Sequence, residues 1–167
     1  MATVKWQFDA GAMVPYATNV PELVKIDGTN NPVFGYGFAD STQDDQVAIY
    51  FSAASYGSGN LTAYFNWYSR TGQTTGAVVW ECALQAATSG DAQSVETDGL
   101  ATATTATSTV NGTARGPTRV SVTISNLDSL AADDFVTIRL RRLQSNGSDT
   151  MTGDAILRLV EVTYSDT

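Results

Sequence analysis

The chain of 167 residues contains no histidine and only one cysteine. The lack of histidine excludes Ser-His-Asp and Cys-His nucleophile arrangements, together with metal sites that depend on imidazole ligands. Cys82 has no partner for an intrachain disulfide, and it lies in an apolar run where a free cysteine is expected to be a small buried hydrophobe. We therefore expect no enzyme, no catalytic residue, no cofactor and no metal ion.

Charged residues are also scarce. They make up 16% of the chain, below the roughly 25% usual for globular domains, which suggests that a partner covers part of the surface. Acidic residues number 17 against 9 basic ones, and the net charge of -8 opposes binding to nucleic acid or to an anionic membrane. The sequence shows no secretion signal and no apolar run of membrane-spanning length. We expect a protein made in the cytoplasm that binds neither nucleic acid nor membrane.

Alternation of apolar and polar residues with period two is abundant, and it is typical of strands. Residues 38–84 read as three consecutive strands of one sheet, and further alternation follows over 118–125, 135–142 and 155–164. No helical pattern is present. The predicted fold is all-β, a single antiparallel jelly-roll-like β-sandwich. Its core-facing residues in 38–84 are predicted to be Val47, Ile49, Phe51, Leu61, Ala63, Phe65, Trp67, Val78, Trp80, Cys82 and Leu84.

The N-terminal part differs from this sandwich. Residues 1–32 hold one predicted strand at Thr3–Phe8 and a short one at Glu22–Ile26, and three of the four prolines interrupt the rest. Proline is confined to edge strands because it cannot donate to a ladder. We predict an extended arm over 1–32 that bridges neighbouring subunits, and a sandwich over 33–167, in which the Ala-Thr run at Ala101–Thr107 forms an edge strand.

Arginines are concentrated near the C-terminus. Arg139 and Arg141 share one face of a predicted strand, and together with Arg142 and with Arg158 of the last strand they are expected to lie beside Glu161. Such a group either forms cross-strand ion pairs of little individual value or contacts another subunit or a capsid, since arginine is enriched at interfaces. Both interpretations stay open, and Arg139, Arg141 and Arg158 are candidate interface residues.

Tyrosines provide the second group of candidates. Tyr64 and Tyr68 are predicted to lie on the face of the second strand that points away from the core, with Tyr50 and Tyr56 nearby. They form either a cross-strand aromatic ladder with an interface role or a stacking platform for a glycan. The residues themselves favour the interface and leave the glycan site as the alternative.

Acidic clusters carry no predicted chemistry. The segment 40–45 contains three aspartates, which would suit calcium, but their spacing does not match an EF-hand loop. Asp44-Asp45 and Asp133-Asp134 are adjacent pairs whose side chains are expected to point apart, unlike the facing carboxylates of a glycosidase. We interpret all of them as solvated loop residues.

Framework and turn residues over about 38–164 resemble a jelly-roll domain of tailed-bacteriophage virion structural proteins. The segments that carry this resemblance are Phe38–Thr42, Tyr56–Leu61, Trp67, Val78–Trp80, Phe135–Arg142, Asp149–Ala155 and Val162–Tyr164.

The resemblance, taken with the small size and the lack of a fibre shaft, implies a capsid decoration protein that binds and stabilises the outer head. Its implied partners are the major capsid protein and copies of itself, as a homotrimer. Its implied location is the surface of the phage particle after synthesis in the host cytoplasm. The alternative is the receptor- or carbohydrate-binding head of a tail fibre, with a glycan or a host receptor as partner.

Overall fold

Eleven strands form within the part of the chain that the computed structural model describes, residues 2–16, 18–41 and 44–166. A single 3-10 turn, Ala10–Ala12, interrupts them. No helix in these ranges is long and apolar enough to cross a membrane. The strands are β1 Thr3–Asp9, β2 Val14–Pro15, β3 Glu22–Asp27, β4 Pro32–Phe38, β5 Gln46–Ser52, β6 Tyr56–Ser69, β7 Ala77–Ala87, β8 Thr104–Thr109, β9 Thr118–Ile124, β10 Phe135–Arg142 and β11 Ala155–Asp166.

The strands form two antiparallel sheets that pack face to face. The six-stranded sheet has the order β3-β4-β11-β6-β9, and β1 pairs with β11 beyond the end of β4. The five-stranded sheet has the order β2-β5-β10-β7-β8. This architecture confirms the predicted all-β, jelly-roll-like sandwich.

The core lies between the sheets, and the predicted alternation supplies it. On β6 the side chains of Phe65 and Trp67 are buried and face the five-stranded sheet, whose β7 contributes Trp80. The Trp80 ring stacks on Phe65 at 4.8 Å between centroids and meets Trp67 edge-on at 6.0 Å. Aromatic pairs of this kind add to the stabilisation from burial, so these three rings hold the two sheets together.

The prediction that residues 38–84 form one sheet is wrong. The strands β5 and β7 belong to the five-stranded sheet, whereas β6 between them belongs to the six-stranded sheet. The chain crosses over the core after β5 and again after β6, and a later strand fills the gap that this leaves, because β10 pairs with both β5 and β7. Each strand covers the apolar face of the opposite sheet, which a single sheet cannot do for itself.

The N-terminal segment is built into the same sandwich. Trp6 of β1 is paired with Val162 of β11, Val14 of β2 with Ala48 of β5, and β3 forms a hairpin with β4. Residues 3–27 therefore supply strands to both sheets rather than an arm that extends from them. The expected bridging of neighbouring subunits stays a prediction. An edge strand in the Ala-Thr run is confirmed, at the end of the five-stranded sheet, but it begins at Thr104 rather than Ala101 and extends to Thr109 as β8.

Candidate ligand-binding cleft

A cleft of about 800 Å³ lies on the face of the six-stranded sheet that points away from the core. Its floor includes Asn66 and Tyr68 of β6 and Leu159 of β11. Asn66 alternates with the core residues Phe65 and Trp67, and the register pairs it with Leu159. The Asn66 amide nitrogen donates to the Leu159 carbonyl oxygen at 3.4 Å, which orients this side chain on the floor.

One wall of the cleft is apolar. Ile26 and Val33, from the hairpin of β3 and β4, pack on a small cluster that is separate from the main core and contains Val24, Tyr68 and Ile156. Gly35 makes this packing possible, because a Cβ there would lie 2.5 Å from the Ile156 Cγ2 atom. A short apolar surface therefore stands beside the polar floor.

Tyr68 joins the wall to the floor. The residue is only 8% exposed, and its buried hydroxyl has no hydrogen-bond partner in the part of the chain that the structure describes. Burial raises the pKa of Tyr68, while the positive charges of Arg158, Arg115 and Arg70 act in the opposite direction. The residue is a neutral phenol at neutral pH with an unused donor, which is uncommon for a buried polar group.

Arginines line the rest of the cleft: Arg115 in the loop before β9, Arg119 on β9 and Arg158 on β11. Arg115 is held by a hydrogen bond from its Nε to the Arg70 carbonyl oxygen at 3.2 Å. Arg158 is exposed and makes no hydrogen bond or ion pair with any residue that the structure describes. Guanidinium groups are therefore available at the cleft surface.

Arg119 is fixed by two neighbours. Its guanidinium lies 3.8 Å from the centroid of the Tyr64 ring and donates to Glu161 Oε1 at 2.7 Å. Glu161 also accepts from Gln7 at 3.1 Å and pairs with Lys5 at 3.2 Å. The Gln7 hydrogen bond, followed by Lys5 and Arg119, lowers the pKa of Glu161. The Tyr64 ring is consequently covered by a guanidinium plane.

The structure separates the predicted arginine group. Arg139 and Arg141 lie on β10 in the five-stranded sheet, where both donate to Glu81 at 2.7 and 2.9 Å. Arg158 lies on β11 in the other sheet, so the expected cluster beside Glu161 is wrong. The alternation itself is correct, but β10 and β11, although consecutive in sequence, belong to opposite sheets. Their role at an interface stays a prediction.

The structure also separates the four tyrosines that were predicted to lie near one another. Tyr64 and Tyr68 do share the outer face of β6, as the alternation predicts. Tyr50 is 52% exposed on the five-stranded sheet, and Tyr56 is buried in the core against Tyr164. The expected grouping of all four is therefore wrong.

The sequence alone did not identify Asn66, Arg115 or Arg119. Alternation along β6 placed Asn66 between Tyr64 and Tyr68, and this signal could have found it. No local signal reveals that Arg119 pairs with Asn66 across two strands far apart in sequence, or that the loop carrying Arg115 closes the same cleft.

The aspartates of 40–45 make hydrogen bonds within the protein. Asp40 accepts from the Gly153 amide, Asp44 from Ser145, and Asp45 from the Ala39 amide at 2.7 Å. Residues 42 and 43 lie outside the described part of the chain. Among the described residues, no group of three or more His, Cys, Asp or Glu side chains could hold a metal ion.

No family model and no curated protein matches the chain. Solved structures do match it. The C-terminal CBM6 of the marine laminarinase LamC from Zobellia galactanivorans aligns with a TM-score of 0.52 and 13% identity, over 96% of this chain and 99% of that one. The CBM36-1 domain of a multidomain xylanase from the hindgut metagenome of Trinervitermes trinervoides aligns with a TM-score of 0.51 and 13% identity, over 98% of this chain and 100% of that one. The chain therefore has the β-sandwich fold of these two carbohydrate-binding modules.

Proposed function

We propose that the protein is a non-enzymatic carbohydrate-binding domain and that the cleft on the six-stranded sheet is its binding site. This is the alternative role that the sequence left open for Tyr64 and Tyr68. The observation that carries the proposal is the juxtaposition, in one cleft of about 800 Å³, of an apolar wall, the amide of Asn66 and the unpartnered hydroxyl of Tyr68. The likeness to carbohydrate-binding modules supports the same role by analogy of fold.

The chemistry of the cleft suits a sugar chain. A pyranose ring presents C–H groups on its faces and hydroxyls around its edge, so it needs apolar contact and directed hydrogen bonds together. Ile26 and Val33 offer the first, while Asn66, Tyr68 and Thr118 offer the second. The volume lies within the range of about 300–1,000 Å³ typical of small-ligand sites, which is enough for a short stretch of a polysaccharide.

Affinity electrophoresis against a panel of polysaccharides tests the proposal. We expect at least one polymer to retard the protein, and we expect Asn66→Ala to weaken that retardation about tenfold, because it loses one directed interaction. Tyr50→Ala is the matched control, since Tyr50 is exposed on the opposite sheet. Retardation by no polymer, or equal retardation of the Asn66→Ala variant, would contradict the proposal.

Assembly on a phage particle is a second proposal, and it rests on the sequence resemblance. The two matching structures described above are carbohydrate-binding modules, so they add nothing to the capsid decoration role. One structural feature is compatible with a homotrimer: Leu23 and Phe34, neighbours on the β3–β4 hairpin, are each 55% exposed. Multi-angle light scattering tests this. A trimer that Leu23→Glu dissociates would support it, and a monomer at all concentrations would contradict it.

A further inference from the structure

We infer that the cleft selects an anionic polysaccharide, one that carries carboxylate or sulfate groups, over a neutral one. The inference rests on the proposed carbohydrate-binding function and specifies its ligand. It follows from the distribution of charge, from the state of individual arginines and from the buried phenol of Tyr68.

The charge of the cleft is opposite to that of the protein. The chain has a net charge of -8 and only nine basic residues, yet three arginines and a single carboxylate line this cleft. That carboxylate, Asp9, already accepts from the Gly11 and Ala12 amides at 2.9 and 3.1 Å. Glu161 lies just beyond Arg119 but is shared with Lys5. The cleft therefore keeps uncompensated positive charge.

Arg158 is the clearest case of an uncompensated charge. It lines the cleft and also the smaller pocket that Leu23 and Phe34 border, and it has no partner among the described residues. The other six arginines each hydrogen-bond to a carboxylate or a carbonyl. A guanidinium presents a planar fork of donors that matches the two oxygens of a carboxylate or sulfate.

The loop that carries Arg115 is held in place by its own hydrogen bonds. The Asn111 side chain donates to the Pro117 carbonyl at 2.9 Å and accepts from the Thr113 amide at 2.9 Å. Gly116 packs so closely on Asn111 that a Cβ there would lie 2.6 Å from it. Arg115 is consequently presented to the cleft from a fixed loop, which limits the entropy lost on binding.

Tyr68 supplies a second, independent observation. The residue lines the cleft together with Arg115 and Arg158, and its buried hydroxyl has no hydrogen-bond partner among the residues that the structure describes. An anionic oxygen drawn in by these arginines would provide that acceptor. Hydrogen bonds to an ionised acceptor are about twice as strong as neutral ones.

A single acidic sugar chain fits better than other polyanions. The overall negative charge repels a broad anionic surface such as a membrane or duplex nucleic acid. Screening confines that repulsion to about 8–10 Å at physiological salt, so a narrow chain that enters the cleft meets mainly the arginines. The apolar wall of Ile26 and Val33 provides contact for the sugar ring.

Paired polymers test the inference with the intact chain. Polygalacturonate is compared with its methyl-esterified form, and dextran sulfate with dextran, in affinity electrophoresis and calorimetry at low and high salt. We expect the acidic member of at least one pair to bind at least about tenfold tighter, with affinity that falls as salt rises. The first pair reports on carboxylate and the second on sulfate.

Substitutions test whether the preference for acidic polymers depends on residues of the cleft. Arg158→Gln is expected to weaken binding of the acidic polymer about tenfold, the effect of one charge-assisted interaction. It should leave folding unchanged, because Arg158 has no ion pair or hydrogen bond with any described residue. Lys25→Gln is the control, since it removes the same charge from an exposed surface pair with Asp27. Tyr68→Phe should also weaken binding.

The outcomes separate the inference from the proposed function. Equal affinity for acidic and neutral members of both pairs, or no effect of Arg158→Gln, would overturn the inference and leave carbohydrate binding intact. Failure of every polymer would overturn both. Equal binding of a single-stranded oligodeoxynucleotide would also overturn the inference, because it would indicate recognition of charge alone.

Discussion

Arg142 and Asp149 form a bidentate ion pair inside the protein, with Nε to Oδ2 at 3.0 Å and Nη2 to Oδ1 at 2.7 Å. Both side chains are 1% exposed. The remaining guanidinium hydrogens are donated to the carbonyl oxygens of Phe38, Gly153 and Met151 at 3.2, 2.9 and 2.8 Å. All five donors of Arg142 are thus satisfied, and they tie β10 to β4 and to the loop before β11.

Arg142→Met is expected to destabilise the fold by about 3–5 kcal/mol, because it leaves the Asp149 carboxylate buried without its partner. Urea denaturation of the variant and the wild type measures this change in the free energy of unfolding. Arg158→Met, which removes an exposed arginine that has no partner among the described residues, should change it by less than about 0.5 kcal/mol. A loss below about 1 kcal/mol for Arg142→Met would contradict the structural role assigned to the pair.

Gly35→Ala is expected to destabilise the fold by about 1–3 kcal/mol, the usual cost of overpacking. The added Cβ would meet the Ile156 side chain at 2.5 Å and the Leu157 carbonyl oxygen at 2.8 Å. Gly147→Ala is the matched control, since its Cβ would contact nothing within 4 Å. Thermal melts compare the two variants, and equal melting temperatures would show that β4 and β11 do not approach as closely as described.

Acid should remove the stabilisation that Glu161 provides. The pKa of Glu161 is lowered in the folded protein from its ordinary value of 4.5, so its contribution is fully present above that value and is lost as pH falls through the folded-state pKa. The stability difference between the wild type and Glu161→Gln should therefore shrink in urea titrations below about pH 4.5.

Asp45 provides the opposite case. Burial raises the pKa of Asp45 from the ordinary value of 3.8, so the folded state favours the protonated carboxyl. The contribution of Asp45 to folding stability therefore grows as pH falls. As pH falls, the free energy of unfolding of the wild type should rise relative to that of Asp45→Asn. Relative to that of Glu161→Gln it should fall. Parallel changes in the two series would contradict these assignments.

Cys82 should be chemically silent in the folded protein. The side chain is fully buried, and burial raises the pKa of its thiol well above the ordinary value, so thiolate and access are both lacking. Ellman's reagent should modify less than about 5% of the thiol in buffer within an hour and all of it in concentrated urea. Rapid labelling in buffer would mean that β7 does not occupy the interior.

Alternation predicted the strands and most of the core, because burial of one face imposes period two on each strand separately. The same alternation places Arg142 on the core side with Val136, Ile138 and Leu140, a signal that could have identified it as a buried arginine. It could not reveal which sheet a strand joins, since pairings such as β10 with β5 join residues about ninety positions apart.

The candidate cleft was predictable only in part for the same reason. Tyr68, which lines the cleft, and Tyr64, which lies beside it under Arg119, follow from the alternation of β6. Arg119 and Arg158 reach the cleft through the pairing of β9, β6 and β11, and Arg115 through a loop whose course depends on its own hydrogen bonds. Local sequence carries no information on these non-local arrangements.

Binding of a sugar chain by the outer-face cleft is tested most directly by titrating the isotope-labelled protein with an oligosaccharide cut from the polymer that retards it best. Two-dimensional amide spectra report the position of the ligand. We predict shifts concentrated at Asn66, Tyr68, Thr118 and Leu159, with Tyr50 and its neighbours on the five-stranded sheet unchanged. Shifts centred on the five-stranded sheet, or a spectrum that no oligosaccharide alters, would contradict the account.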